Sequence, residues 1–172
     1  SEAETILRRV RRRVEEILDR IRRKLEESKR EVEKHRRDVK KVLDDVRRTV
    51  KRIKERGRTE ERVEKEVEKM MREIKKELDD RHRETKKRSE EFERDLKRTE
   101  ERVREEEDDT RKKVPNREEV DTRLKEISKE LEETLRRVTE EHKRLNRELE
   151  EVDRRAEKEV RKILKELRDT TK

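Results

Sequence analysis

Set aside the charged surface, and few side chains in this chain could do chemistry: His35, His82 and His142, together with Ser28, Thr85, Ser89 and Asn146. An imidazole in such company can ligate a metal, take up a proton near neutral pH, or sit as one member of a hydrogen-bonded network. A zinc-type site needs three or four ligands converging on one ion. On helices folded back on one another, His142 and His35 fall about seven residues apart in level, roughly 10 Å along the axis, which argues against a three-histidine site. Asp79 precedes His82 by three positions and Glu31 precedes His35 by four, yet no Glu-x-x-His pair recurs as a di-iron bundle requires. Neither a metal nor another cofactor is expected. A buried polar network of Ser28, His35, His82, Thr85, Ser89, His142 and Asn146 is the expected arrangement. The competing expectation is a pH switch, in which protonation at about pH 5 to 6 puts charge into the core.

Catalytic signatures are missing. One glycine excludes a phosphate-cradling loop or a dinucleotide fingerprint, and neither His-Glu-x-x-His nor Gly-x-Ser-x-Gly occurs. Carboxylates are abundant, but on a polar helix face they are solvated and lack the shifted acidity that acid or base work needs. The chain is therefore not expected to be an enzyme. Without cysteine there is neither a disulfide framework nor a thiolate site. Apolar residues never run beyond two, so no transmembrane span or secretory signal is expected, and the protein should be soluble. The narrow apolar stripes, lacking tryptophan, also speak against binding to a membrane surface.

The run RRVRRRV, residues 8 to 14, raises the question of a polyanion. Residues 1 to 56 carry 22 Lys and Arg against 13 Asp and Glu, so the overall excess of +8 lies in the first third. If the chain folds back at Gly57, residues at one level have numbers totalling about 115, which sets Arg8 to Arg13 against positions 102 to 107. There the chain holds Glu105, Glu106, Glu107, Asp108 and Asp109. The arginines are thus expected to face acids of a neighbouring helix, where exposed pairs choose register more than they add stability. No nucleic-acid partner is expected, since no aromatic residue near the run offers a stacking platform.

These side chains need positioning elements, and the pattern supplies them. Charged residues make up 64% of the chain and hydrophobic ones 23%, a composition that would indicate disorder were the apolar residues not spaced three or four apart from end to end. The lone glycine and lone proline divide the chain into thirds: Gly57 suits a helix C-terminus, Thr59 and Asn116 suit N-caps, and Pro115 ends a helix. Helices are expected over 2–56, 59–113 and 117–170, each about 80 Å long. Short connections make neighbours antiparallel.

The first stripe runs Val10, Val14, Ile17, Ile21, Leu25, Ser28, Val32, His35, Val39, Leu43, Val46, Val50, Ile53; the third runs Val120, Leu124, Ile127, Leu131, Leu135, Val138, His142, Leu145, Leu149, Val152, Ala156, Val160, Ile163, Leu167. The step from Val10 to Val46 averages about 3.6 residues per turn, the period of a nearly straight helix. The apolar code lapses between Leu78 and Phe92, where His82, Thr85 and Ser89 fall on the inward phase. The expected fold is all-α: a single-domain, antiparallel up-down-up bundle of three long, nearly straight helices spanning 1–172.

Near-equal helices, capping signals in GRTEER and PNREEV, an almost wholly aliphatic stripe and an interleaved Arg, Lys and Glu surface together resemble a computationally designed helical bundle. The resemblance implies a de novo protein that supplies a fold and acts on no natural substrate; the expected state is a monomer without partners. The alternative is an interaction module, one subunit of an oligomeric bundle whose helical partner completes the polar stretch 79–91.

Overall fold

The computed structural model describes residues 2–57, 60–113 and 118–170, and all of these except Arg56 and Gly57 are helical. Helix α1 spans Glu2–Glu55, α2 Glu60–Lys113 and α3 Glu118–Thr170. Thr59, Pro115 and Asn116 lie outside the described residues, as do the expected starts of the second and third helices at 59 and 117. The visible ends follow helix-dipole logic: Glu2 and Glu4 open α1 and Arg52 and Lys54 close it, while Glu118, Glu119 and Asp121 open α3.

Gly57 closes α1 with φ of 56°, its N–H reaching the Lys54 carbonyl at 3.4 Å. A Cβ built there would meet nothing within 4 Å, so the demand for glycine is one of backbone conformation and not of space. Gly57→Ala is accordingly expected to destabilise by about 1 kcal/mol, the cost of a left-handed non-glycine residue, readable as a lower midpoint in chemical denaturation with an unchanged slope.

The chain forms two compact units. The first comprises residues up to 29 with 88–144, the second 30–87 with 145–172. In the first, Val10, Val14, Leu18, Ile21 and Leu25 of α1 are buried, as are Phe92, Leu96 and Val103 of α2 and Leu124, Leu131 and Leu135 of α3. In the second, the core gathers Val39, Val42, Val46, Val50 and Ile53 with Val67, Met70, Ile74 and Leu78 and with Ala156, Val160, Ile163, Leu164 and Leu167. Two positions correct the stripe read from sequence. Leu18 and Val42 are buried, whereas Ile17 and Leu43 are only partly so. Adjacent residues lie about 100° apart on a helix, so a modest rotation decides which of two neighbours enters the seam.

Ion pairs record the register. In the first unit Arg13 meets Glu106 and Lys24 meets Asp95, numbers that total 119 in both cases, so α1 and α2 run antiparallel there. In the second unit Arg81 Nη1 lies 3.8 Å from Asp38 Oδ2, again totalling 119. The expected total was about 115. Side chains on a helix lean toward its N-terminus, so in an antiparallel pair the two tips lean in opposite directions and meet between residues whose total exceeds the backbone level. A lean of about two residues on each side, roughly 3 Å, accounts for the difference.

Between α1 and α3 of the second unit the pairs instead keep a constant offset of 112: Arg36 to Glu148 at 3.1 Å and Arg47 to Glu159 at 3.3 Å. A constant offset marks parallel segments, completing an up-down-up order.

Candidate functional site

In the second unit each helix contributes one residue to a cluster centred on Asp153. His35 of α1, 5% exposed, places Nε2 2.6 Å from Asp153 Oδ1, and His82 of α2 places Nδ1 3.0 Å from Asp153 Oδ2. A carboxylate can only accept, so both imidazoles must turn a protonated nitrogen toward it. That fixes the tautomers: His35 donates through Nε2, and neutral His82 carries its proton on Nδ1 and its lone pair on Nε2.

His82, expected inside, is 48% exposed. No apolar neighbour between Leu78 and Phe92 draws that stretch inward, so the ring reaches Asp153 while about half of the side chain stays exposed. Asp153 was not anticipated, because Val152 filled the stripe and its neighbour read as surface. A signal was nevertheless present. Every other acid in the middle of α3 is glutamate, and aspartate is a poor residue for a helix interior unless its short side chain has a task.

The Ser28 and Thr85 hydroxyls serve their own helices. The Ser28 hydroxyl donates to the Lys24 carbonyl at 3.1 Å and Thr85 to the Arg81 carbonyl at 2.9 Å. Both bonds are satisfied locally and link no helix to another. Asn146 is half-buried on α3.

In the first unit Ser89 and His142 come together, with Oγ 2.9 Å from Nε2. His142 is 3% exposed, and the Phe92 ring lies 4.5 Å from its own, centroid to centroid, at a 40° tilt. Its Nδ1 is buried without a hydrogen-bond partner. Burial holds the imidazole below its ordinary value of 6.5, against the opposing pulls of the Glu93 carboxylate and of a hydrogen bond to the Ser89 backbone. The seven residues singled out from sequence are therefore distributed between the units: Ser28, Ser89 and His142 belong to the first, and His35, His82, Thr85 and Asn146 to the second.

A further buried group lies in the acidic run set against the arginines. Arg13 does reach Glu106, but Glu107 turns into the seam between Val103 and Thr110 and is 7% exposed. Its carboxyl is pushed above the usual 4.5, first by burial; a hydrogen bond from Ser128 and the nearby Arg111 oppose that shift, and the Glu132 and Asp108 charges add to it. Oε1 is buried with no partner. The clue was the spacing itself, since 103, 107 and 110 follow the helical stripe. At the surface of the same unit, Lys24 lowers the Asp95 carboxyl by hydrogen bond and charge.

Among the described residues no group of three or more histidine, aspartate or glutamate side chains is arranged to hold a metal ion, and no helix is long and apolar enough to cross a membrane.

Helix order, register and seam define an all-α three-helix bundle. No family model and no curated protein sequence matches the chain. Among solved structures it is similar in fold to a computationally designed three-helix bundle, with 14% sequence identity and a TM-score of 0.53 over 99% of this chain and 86% of that one.

Proposed function

We propose that the chain is a designed structural scaffold: a single-domain, self-contained monomer with no natural substrate, ligand or nucleic-acid partner. One observation carries the reading. Among the described residues most aliphatic side chains go to the seam and Met71 is the large hydrophobic one left exposed, which leaves little apolar surface for another helix. The likeness in fold to a designed bundle supports the same conclusion.

Within this scaffold the histidine clusters act as specificity elements. A buried donor or acceptor tolerates few alternative packings, so Ser89 with His142 and Asp153 with its two histidines favour one pairing of helix faces over others that an aliphatic seam would accept equally.

Light scattering coupled to size-exclusion chromatography tests the proposal. A mass that stays at 21.6 kDa over a wide concentration range is the expected result. A mass that rises to two or three times that value on concentration would replace the scaffold by the interaction module, with the helices satisfied between chains.

A further inference from the structure

We propose that His82 is an acyl-transfer centre for activated carboxylic esters, with Asp153 as its positioning residue. Of the three imidazoles, His35 and His142 are 5% and 3% exposed, whereas His82 is 48% exposed and open to a reagent from solution. The chain has no cysteine to compete as a nucleophile. His82 is more than a surface histidine because its Nδ1 edge is tied at 3.0 Å to a carboxylate that is itself 15% exposed. Asp153 in turn is held from its other oxygen by the buried His35, so the carboxylate cannot swing away. The ring is thereby fixed in the tautomer whose lone pair sits on Nε2, the nitrogen at the opposite edge. This is the relation of an orienting acid to a nucleophilic or basic imidazole.

The reaction balances without a cofactor. The Nε2 lone pair attacks the ester carbonyl carbon, a C–N bond forms, and the tetrahedral oxyanion collapses with release of the aryloxide and its C–O electron pair. The acylimidazolium keeps its Nδ1–H on the Asp153 carboxylate. Water then adds to the acyl carbon and gives up one proton, which passes through solvent to the released aryloxide; the C–N bond breaks with its electron pair returning to Nε2, and the carboxylic acid leaves. The net change is ester and water to acid and phenol, with no oxidation or reduction.

The test is turnover of 4-nitrophenyl acetate by the purified chain at about pH 8, above the ordinary imidazole range, read as a second-order rate constant. The parent is expected to release many equivalents of nitrophenolate per chain, and His82→Gln is expected to lower the constant by about a hundredfold, the lower end of what a positioned imidazole contributes. His82 lies at the surface, so this variant should keep the parent's helical circular dichroism. Asp153→Asn is expected to lower the constant several-fold and, in nitrogen-15 spectra, to move the His82 proton from Nδ1 toward Nε2, a change that a purely structural role would not produce. Equal constants for the parent and His82→Gln would overturn the proposal. So would release that stops once each chain is acylated, with mass spectrometry placing the acyl groups on lysines. An unchanged tautomer in Asp153→Asn would remove Asp153 from its positioning role.

Discussion

His142→Ala is expected to destabilise the fold by about 2–5 kcal/mol at neutral pH, whereas His142→Leu should stay within about 1 kcal/mol of the parent and overtake it in acid. The first variant removes a ring that is 3% exposed and packed against Phe92, leaving a cavity that the seam can only partly close. The second keeps most of the volume and removes a buried nitrogen, Nδ1, that has no partner. Acid distinguishes the parent from the leucine variant because the folded imidazole is held below 6.5. The unfolded chain then binds the proton more tightly than the native one. The His142 contribution is therefore intact above 6.5 and is lost as pH falls from there through the lower folded value. Denaturant titrations of parent and leucine variant at several pH values check this: the parent's stability should fall faster over that interval. Parallel profiles would show that the buried imidazole is not the group being charged.

Glu107→Leu is expected to raise stability by about 1–3 kcal/mol at neutral pH, an uncommon sign for a single substitution. The native carboxylate is 7% exposed and carries one oxygen without a partner, so it bears the cost of desolvation without full compensation. Leucine has a similar reach and fits beside Val103, Leu131 and Leu135, which line the same α2–α3 groove. The linkage runs opposite to that of His142. With its folded value raised above 4.5, Glu107 is most favourable when neutral, below 4.5, and the stability it contributes there is lost as pH rises through the folded value. The advantage of the leucine variant should consequently shrink on acidification toward 4.5. Glu107→Gln, which removes the charge and keeps the shape, is expected to give part of the gain and to abolish that pH window. A loss of stability at neutral pH in both variants would mean that Ser128 and Arg111 compensate the buried charge more fully than the unpartnered oxygen indicates.

The architecture was legible because nearly every aliphatic residue lies on one period and nearly everything else is charged. Long helices sharing one seam bury Val10 through Leu25 and Val120 through Leu135 together, and a solitary Gly57 marks where the first ends. Ser89 and His142 both fall on the inward phase of their helices, which is why the sequence sets both among the buried polar residues. Asp153 and Glu107 were missed for a common physical reason. A charged side chain is assumed to be solvated, and whether it turns inward depends on helix rotation and on which neighbour bonds it, neither of which periodicity resolves. The exposure of His82 illustrates the converse: an inward phase buries a side chain only where apolar neighbours carry the backbone toward the core.

The two Arg–Glu contacts with their common offset of 112 have a value beyond their modest strength. Suppose α3 of the second unit slides against α1 by one helical turn. A shift of four residues one way sets Arg36 beside Arg144 and Arg47 beside Arg155; four the other way sets them beside Val152 and Ile163. Three residues one way gives Leu145 and Ala156, and three the other way keeps an acid, Glu151, for Arg36 while putting Lys162 beside Arg47. None of the four displacements preserves both contacts. The two rungs work like a key with two teeth: Arg36 alone would accept one wrong one-turn alignment, beside Glu151, and the Arg47 rung rejects it, so together they exclude every one-turn slip.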